Sequence, residues 1–501
     1  PVGGCPRSAP GPGPAFSVDL PPALAIIGRR APPAAPRDPG NTMTDKIISH
    51  PRDFPAVEEL LQHPRLADLI ARLPRPVAAD VVRAVVAEAK SRLTSQDRPL
   101  TRDDLLAALR AALRAAGRQA AARVINATGI VVHTNLGRAP LPADLFDAIK
   151  HSVTGYGNTE FSLETGRRGG RGGAAESYLA LLAEAEAATV VNNCAAALFL
   201  ALNSLAARKE VLISRGELVQ IGGGFRIPDI LRKSGARLRE VGTTNITTIA
   251  DYASNIDPKR TGLILKVHKS NFTQAGFTEE VSLRDLVALG REHNLPVMND
   301  LGSGLFIDTL PLLGYSEPTV QQSVRAGAVL TTFSGDKLLG GVQAGLLVGR
   351  AEIIRTIKKN PLFRTMRVDK IVFSALERLF SIYLGGTWQT DITLWRLLAL
   401  PESELYKRGK KILADLGQPE DLSVEATQAF VGGGALPEAA IPSVAVCFSK
   451  TRNAAALLAA FRDRDLPIIG RIENDRFLLD LKAVETEDLP ALTEAIRSVL
   501  G

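Results

Sequence analysis

The chain has 501 residues, of which 45% are apolar and 23% are charged, so it can bury a large core and is expected to form two or three domains. Its net charge of +7 permits an anionic partner without requiring one. No segment approaches the run of about eighteen apolar residues that a membrane helix needs, and three scattered cysteines, Cys5, Cys194 and Cys447, are too few for a disulfide framework or a zinc site. This composition argues against a membrane protein and a disulfide-rich scaffold, and it predicts a cytoplasmic protein without a metal.

Residues 1–42 are rich in proline, alanine and glycine and show no helix or strand period. Such a segment cannot bury enough surface to offset its conformational entropy, so we expect a disordered extension. A signal peptide is the alternative, but two prolines precede the short apolar run "ALAII" and no basic region stands before it. Met43 is therefore the expected natural start.

Residues 43–122 show helical periodicity and predict a small helical domain with a linker helix. Thr101 and Asp104 have the spacing of a capping box, which opens the second long helical pattern. Along that pattern Arg110, Arg114 and Arg118 recur every four residues and share one helix face. This stripe can contact a phosphate backbone, although the pattern alone favours an ordinary solvated face.

Residues 123–385 alternate short apolar runs with helix-length segments, which predicts an α/β domain with a mostly parallel sheet and crossover helices. Ligands of such sheets bind outside the carboxyl ends of the strands. Five of these ends carry polar residues, so we expect one site there. The apolar runs are "ATVVNN", "EVLIS", "ARLREV", "GLILKV", "LPVMND", "GAVLTTF" and "AGLLVG", and the polar residues are Asn193, Ser214, His268, Asp300 and Lys337.

Residues 386–501 begin with a helical pattern, continue with shorter strand patterns and close with another helix. This order predicts a small α+β domain. No catalytic cluster stands out in its sequence.

Lys337 lies in "FSGDKLLGGVQAG", among small residues and just after an apolar run. A lysine that is largely withdrawn from water at a sheet edge can act as a nucleophile toward an aldehyde and form a Schiff base. An exposed lysine in a glycine-rich hairpin is the alternative for this motif taken alone.

Two further segments support a pyridoxal phosphate (PLP) site. Asp300 follows a buried-strand run, where a carboxylate needs a cationic partner such as a pyridinium nitrogen. Asn193 and Cys194 stand between a strand pattern and a helix pattern, where free amide groups can bind a phosphate. A helix cap for Asp300 and a turn for Asn193 are the simpler alternatives, but together with Lys337 the three features predict PLP.

Several motifs together resemble those of the bacterial selenocysteine synthases, the L-seryl-tRNA(Sec) selenium transferases, from about Phe54 to the carboxyl terminus. They are "INATGIVVHTNLGRAPL", "YGNTEFSLETGRRGGRG", "SRGELVQIGGGFRIPDI", "EVGTTN", "KVHKSNF" and "FSGDKLLGGVQAG". The resemblance implies a fold-type-I PLP enzyme that forms a ring-shaped homodecamer of dimers and converts seryl-tRNA(Sec) to selenocysteinyl-tRNA(Sec) with selenophosphate. Val342 departs from the family's usual "GGPQAG", which removes a constraint on the turn but no reactive group.

The resemblance also implies the roles of residues around the cofactor. Lys337 would hold PLP as an internal aldimine and then act as general base at the serine α-carbon, while Asp300 keeps the ring nitrogen protonated. Loss of the serine hydroxyl would give an aminoacrylyl intermediate, to which selenium adds. Asp336 resembles a family acid near this centre, and a turn-forming role is its alternative. His268 is expected to contact the cofactor, with a core histidine as the alternative.

Arginines are the expected ligands of the selenophosphate anion, because a guanidinium binds phosphate oxygens bidentately. By position, Arg138, Arg364 and Arg367 match the family's anion-binding arginines, although a solvated helix face is the simpler view of the last two. Arg167, Arg168 and Arg171 lie in "TGRRGGRGG" and are candidate contacts for the cofactor phosphate or the tRNA acceptor end. A mobile surface loop is their alternative.

Two other functions stay open at this point. A PLP-dependent ammonia-lyase or β-eliminating enzyme that acts on a small amino acid could share the lysine motif. Such an activity would give no evident function to the amino-terminal helical domain. A tRNA-binding or assembly protein with an inactive site is the other possibility. The presence of Lys337, Asp300 and the arginines together argues against it, and a visible absorbance scan would distinguish the two classes.

Overall fold

The computed structural model describes residues 47–93, 99–117, 122–221, 224–434, 436 and 439–501. The predicted disordered extension, residues 1–42, lies outside this described part. Contacts divide the chain into two compact units, a helical unit (Pro1–Arg123) and a large unit (Val124–Gly501). Among the described helices, none combines the length and apolar character needed to cross a bilayer. The predicted domain boundary at residues 385 and 386 falls inside the large unit and stays a prediction.

The helical unit has an apolar core formed mainly by its two longest helices. Leu105, Leu109 and Leu113 recur along one of them and are buried, as the sequence period requires. The predicted capping box is confirmed: Thr101 Oγ1 accepts a hydrogen bond from the Asp104 N–H at 3.1 Å, and the Asp104 carboxylate accepts one from the Thr101 N–H at 3.1 Å. The elements are β1 (Ile47–Ile48), α1 (Val57–Leu61), α2 (Ala67–Ile70), α3 (Arg75–Arg92), β2 (Leu100–Thr101) and α4 (Arg102–Gly117).

The large unit contains the remaining strands of the described chain. They are β3 (Ile125–Asn126), β4 (Ile130–Val132), β5 (Phe161–Ser162), β6 (Arg167–Arg168), β7 (Ala187–Val191), β8 (Glu210–Ser214), β9 (Gln220–Ile221), β10 (Phe225–Arg226), β11 (Arg237–Val241), β12 (Thr261–Val267), β13 (Val297–Gly302), β14 (Leu330–Ser334), β15 (Gly345–Gly349), β16 (Leu422–Gly432), β17 (Ala440–Phe448), β18 (Ile468–Ile469), β19 (Arg471–Glu473) and β20 (Arg476–Asp480).

Helices alternate with these strands and cover the sheets. They are α5 (Leu145–Thr154), α6 (Gly173–Ala183), α7 (Cys194–Ala206), α8 (Ile227–Lys233), α9 (Ile249–Asn255), α10 (Leu283–Glu292), α11 (Leu310–Leu313), α12 (Val320–Ala326), α13 (Ala351–Lys359), α14 (Pro361–Thr365), α15 (Lys370–Gly385), α16 (Trp388–Asp391), α17 (Thr393–Leu398), α18 (Glu402–Asp415), α19 (Ala454–Arg462) and α20 (Leu489–Leu500).

The main sheet of the described chain has seven strands in the order β11-β8-β12-β13-β14-β15-β7. Each predicted apolar run forms one of these strands. Most neighbours pair in parallel, whereas β15 pairs antiparallel with both β14 and β7. Core residues pack against both faces of this sheet, which explains why most of the runs are largely apolar, while the edge strand β11 keeps exposed charged residues. The predicted α/β class with a mostly parallel sheet is confirmed.

A second sheet lies in the last part of the chain and has the order β19-β20-β17-β16-β4. Its long central hairpin, β16 with β17, is antiparallel. The short strand β4 comes from the beginning of the large unit and pairs in parallel with β16, with Ile130 opposite Phe430. Strand β3 likewise pairs with β18. Both ends of the large unit therefore meet in this α+β region.

Candidate active site

Three predicted site residues lie on neighbouring strands at the carboxyl edge of the main sheet. Asp300 is in β13, opposite Val267 of β12 on one side and Thr332 of β14 on the other. His268 follows β12 directly, and its N–H donates a hydrogen bond to the Asp300 carbonyl at 2.9 Å. Lys337 follows β14 after a short turn. The strand order thus brings together the polar strand ends that the sequence predicts.

Asp300 is a buried carboxylate, with only 6% of the residue exposed. The Thr332 hydroxyl donates to its Oδ1 at 2.7 Å, and the Cys194 thiol lies within weak donating distance of the same atom, at 3.6 Å. Burial raises the pKa of Asp300, while the Thr332 hydrogen bond and the positive charge of Lys337 oppose the rise. A carboxylate in this setting favours a cationic partner.

Lys337 is half-buried, and two glycines lie close to its amine. A Cβ atom built on Gly434 would lie 2.8 Å from Lys337 Nζ, and one built on Gly302 would lie 3.8 Å from it. Gly434 also has a φ of +83°, which L side chains rarely adopt. The turn after β16 therefore leaves room for the lysine only because residue 434 has no side chain.

Asn193 and Cys194 form the start of α7, as predicted. The Asn193 side chain caps this helix by accepting a hydrogen bond from the Ala196 N–H at 2.8 Å, so it has the turn and cap role that was its simpler alternative. Burial raises the pKa of the Cys194 thiol well above its usual value, and the charge of Asp300 adds to the rise. Cys194 is thus a neutral neighbour of the carboxylate, at the amino terminus of a helix that favours anions.

Asp336, next to Lys337, is buried and paired with Arg138. Arg138 Nη1 lies 2.5 Å from Asp336 Oδ2, and the Ser334 hydroxyl donates to Oδ1 of the same carboxylate at 2.7 Å. Arg138 itself is partly exposed, and it helps to line a cavity of about 410 Å³ together with Thr134 and Val342. Asp336 therefore holds the guanidinium at the border of an open space near the lysine.

A second arginine group surrounds Glu160. Arg171 Nη1 lies 2.8 Å, and Arg367 Nη1 3.8 Å, from Glu160 Oε1, and Arg168 Nη2 lies 3.0 Å from Oε2. Desolvation acts to raise the pKa of Glu160, but the three arginines outweigh it and lower the pKa. Three cations against one carboxylate leave a positive excess, and the Nε atoms of Arg171 and Arg367 are buried without a hydrogen-bond partner among the described residues.

The segment that carries Arg364 and Arg367 lies beside the turn that opens α7. The Asn192 N–H donates to the Met366 carbonyl at 3.0 Å, which ties this segment to the carboxyl end of β7. Arg364 is exposed on α14, and Arg167 is exposed on β6. The predicted anion-binding arginines therefore fall into separate places: Arg138 at Asp336, Arg367 at Glu160, and Arg364 on the surface.

The arginine stripe of the helical unit is only partly available to a ligand. Arg110 Nη1 donates to the Arg65 carbonyl and lies 3.8 Å from the carboxylate of Asp68. Arg114 is exposed, and Arg118 lies outside the described residues. Arg114 is therefore accessible to a ligand and its contact with a phosphate backbone stays a prediction, whereas Arg110 has partners within its own unit.

The sequence patterns did not identify several residues that contact the predicted site residues. Glu317 Oε1 lies 3.0 Å from His268 Nε2, and the Glu160 carboxylate lies near three arginine side chains. Thr332 had a local signal, since it is a polar residue inside the apolar run "GAVLTTF". Glu160 lies within the family motif "YGNTEFSLETGRRGGRG", but nothing in that motif indicates its arginine partners. Glu317 had no signal, because it lies in a segment without periodicity and reaches His268 only through the tertiary fold.

This fold, with its strand order, a carboxylate in β13 and a lysine in the turn after the adjacent β14, defines the class of fold-type-I PLP enzymes. A solved D-glucosaminate-6-phosphate ammonia-lyase has the same fold, with a TM-score of 0.55 and 19% identity over 76% of this chain and 96% of that one. The family model described as "L-seryl-tRNA selenium transferase" matches residues 124–485, and the one described as "Selenocysteine synthase N terminal" matches residues 51–89. The chain belongs to the L-seryl-tRNA selenium transferase family.

Curated relatives agree with this membership. The L-seryl-tRNA(Sec) selenium transferase of Geotalea daltonii is 43% identical over 90% of this chain and 99% of its own length. The protein of the same name from Aquifex aeolicus is 46% identical over 76% of this chain and 84% of its own length. The family resemblance predicted from the sequence is confirmed.

Proposed function

We propose that this chain converts L-seryl-tRNA(Sec) to L-selenocysteinyl-tRNA(Sec), with PLP as cofactor and selenophosphate as selenium donor. Family membership supports the reaction. The observation that carries the proposal within the structure is the placement of the buried Asp300 in β13 and of Lys337 in the turn after the adjacent strand β14, at one sheet edge. This edge supplies the amine and the carboxylate that the chemistry requires.

The residues present fit PLP. Lys337 supplies an amine for the aldehyde, and the buried carboxylate of Asp300 suits a protonated ring nitrogen. The amino terminus of α7, which begins at Cys194, suits the phosphate. When bound, PLP acts as an electron sink for a carbanion at the amino-acid α-carbon.

The side chains of the protein supply the general base, the partner of the ring nitrogen and the anion-binding group. Lys337 Nζ removes the proton from the α-carbon of the esterified serine and acts as the general base. Asp300 holds a proton at the pyridine nitrogen, helped by the hydroxyl of Thr332 that fixes its Oδ1. Asp336, the residue before the lysine, orients Arg138, whose guanidinium would bind an anionic donor.

The arginine group around Glu160 supports an anion site with more than one arginine. Arg171 and Arg367 share a single carboxylate, and each keeps one buried Nε group unpartnered among the described residues. An unpaired buried donor is costly, so a bound phosphate-type anion would stabilise this arrangement. From the family resemblance we assign Arg138, Arg364 and Arg367 to the selenophosphate, although contacts within this chain hold Arg138 and Arg367 at different carboxylates. We assign Arg167, Arg168 and Arg171 to the cofactor phosphate or the tRNA acceptor end.

The direct test combines the purified protein with PLP, seryl-tRNA(Sec) and selenophosphate and identifies the product by mass spectrometry of the released amino acid. Selenocysteine on the tRNA is the expected result. Parallel incubations with free serine and with small amino-sugar acids test the ammonia-lyase alternative. Ammonia release from these small substrates, with no reaction of the tRNA, would overturn the proposal.

Replacement of the arginines is expected to separate the two halves of the reaction. Alanine at Arg138, Arg364 or Arg367 should weaken use of the selenium donor more than it weakens loss of the serine hydroxyl. A charge-assisted contact contributes about 1.5 to 3 kcal/mol, so each variant should lose at least about tenfold in donor affinity. Lysine replacements should rescue poorly, because an ammonium lacks the planar fork. The measurement is a donor titration beside an assay of serine dehydration without donor.

The matched control is Arg325→Ala, which removes an exposed arginine paired with Glu184. It should change neither half-reaction. Equal losses in both halves for the three site variants would show that these arginines serve folding, the cofactor or the tRNA instead.

A chain that begins at Val124 is expected to keep PLP and to lose tRNA binding. The large unit has its own cores and the whole carboxyl edge, whereas the helical unit carries the exposed Arg114. Within the full chain, Arg114→Glu should weaken tRNA binding and reduce its salt dependence, because each phosphate contact contributes to the salt slope. Unchanged, salt-sensitive tRNA affinity of the shortened chain would contradict the assignment.

We also infer a cytoplasmic homo-oligomer, with the decameric ring as the form that the resemblance implies. Exposed apolar side chains on one segment support self-association. Tyr156, Phe161 and Leu163 all lie between α5 and α6 and are largely exposed. Apolar groups concentrated in this way are typical of surfaces that become covered in an assembly.

A further inference from the structure

His268 and Glu317 form a hydrogen-bonding pair at the carboxyl edge that no role described above explains. His268 Nε2 lies 3.0 Å from Glu317 Oε1, and the side chains are 25% and 5% exposed. Glu317 belongs to the connection between α11 and α12, far from His268 in sequence. The pair therefore exists only because the fold brings a buried acid to the end of β12.

The chemistry of the pair constrains the imidazole ring. A buried carboxylate without a donor is costly, so Glu317 favours a proton on Nε2 of His268. The other ring nitrogen, Nδ1, can then accept a hydrogen bond from a bound molecule. A carboxylate that fixes a functional histidine in this way sets both its tautomer and its orientation.

The backbone fixes the same histidine from the other side. Its N–H donates to the Asp300 carbonyl at 2.9 Å, and its carbonyl accepts from the Ser270 N–H at 2.9 Å. His268 is thus held at two points beside the carboxylate assigned to the cofactor ring.

We infer that Glu317 is a positioning residue of the active site, which holds the His268 imidazole in one tautomer and one orientation against the bound PLP ring. The inference rests on the proposed function for the identity of the cofactor. It goes beyond that function because it gives an acid outside the predicted site a role through His268. A merely structural role for Glu317 would affect stability without altering the cofactor's surroundings.

Visible circular dichroism of the PLP-loaded full-length protein provides the test, because it reports the asymmetry of the site around the bound cofactor. Glu317→Gln keeps the shape of the side chain but accepts either histidine tautomer. We expect this variant to bind PLP stoichiometrically, as measured by absorbance, and to lose most of its visible dichroism. Its kcat should fall about ten- to a hundredfold, as for partners of metal-bound histidines, with an unchanged KM for seryl-tRNA.

Two further variants complete the experiment. Glu317→Asp keeps the carboxylate and should recover part of the dichroism. His268→Gln removes the ring but leaves an amide that can donate to Glu317, so it should reproduce the spectral loss. If Glu317→Gln does not fold, this variant still tests whether the His268 ring contributes to the dichroism of the bound cofactor. The matched control is Glu425→Gln, which alters an ion pair with Arg476 in the second sheet and should leave the spectrum unchanged.

Wild-type dichroism in folded Glu317→Gln, or in His268→Gln, would overturn the inference. The readout needs neither tRNA nor selenium, so it remains valid if another substrate is found. Failure of the wild-type protein to bind PLP would contradict the proposed function itself, which keeps the two failures distinct.

Discussion

Lys337→Ala is expected to abolish covalent attachment of PLP and to reduce turnover by about two to four orders of magnitude from loss of the general base alone. The physical reason is the position of the amine, which lies at the end of β14, half-buried and closely approached by Gly302 and Gly434. Borohydride reduction of the wild-type protein should fix the cofactor on a single lysine. Peptide mapping then identifies that residue.

The control for this experiment is Lys269→Ala. Lys269 is close in the fold, after β12, but its amine is paired with Glu280 at 3.0 Å. Its replacement should leave the labelled peptide unchanged. A label on any lysine other than Lys337, or yellow wild-type protein without a label, would disprove the assignment.

Asp300→Asn should retain the fold and yet lose most of the activity. The amide keeps an oxygen that can accept from Thr332, but it removes the negative charge that the ring nitrogen requires. Loss of one charge-assisted hydrogen bond of about 1.5 to 3 kcal/mol predicts PLP binding that is weaker by about ten- to a hundredfold. Turnover at saturating PLP should fall further, because an unprotonated ring is a poorer electron sink. Titration of the apo-protein with PLP and the rate of serine dehydration measure the two effects.

Thr332→Val serves as the graded comparison, since it removes only the hydrogen bond to Asp300 Oδ1. It should weaken PLP binding less than Asp300→Asn does. If Asp300→Asn bound PLP and dehydrated serine as well as the wild type, the carboxylate would not be the partner of the ring nitrogen.

The main sheet and the centre of the site were predictable because their signals are local. A strand buried on both faces must be continuously apolar, and most of the seven runs are largely buried strands of this kind, whereas the edge strand β11 carries exposed charged residues. A polar residue at the end of such a run is therefore expected to lie at the carboxyl edge of the sheet. Asp300, His268 and Lys337 were found for this reason, and the family motifs then supplied their roles.

The partners of these residues were not predictable, because each contact joins segments that are distant in sequence. Arg138 meets Asp336 across 198 residues, and His268 meets Glu317 across 49. Nothing in a short window indicates which acid an arginine or histidine will reach. The pairing of β4 with β16 was missed for the same reason, since two or three apolar residues give no register.

The strands that join both ends of the large unit also bear on how the chain folds during synthesis. Arg471 donates to the Thr128 carbonyl across 343 residues, and β3 and β4 find their partners only in β18 and β16. The strands of the main sheet lie between residues 187 and 349, so they can associate while the ribosome is still adding the rest. Strands β3 and β4 cannot form their sheet hydrogen bonds until β16 and β18 have been synthesised, near the end of translation. Closing so large a loop is also slow. Completion of the second sheet is therefore expected to be the last step of folding, and it places Gly434 against Lys337 only when translation is almost finished.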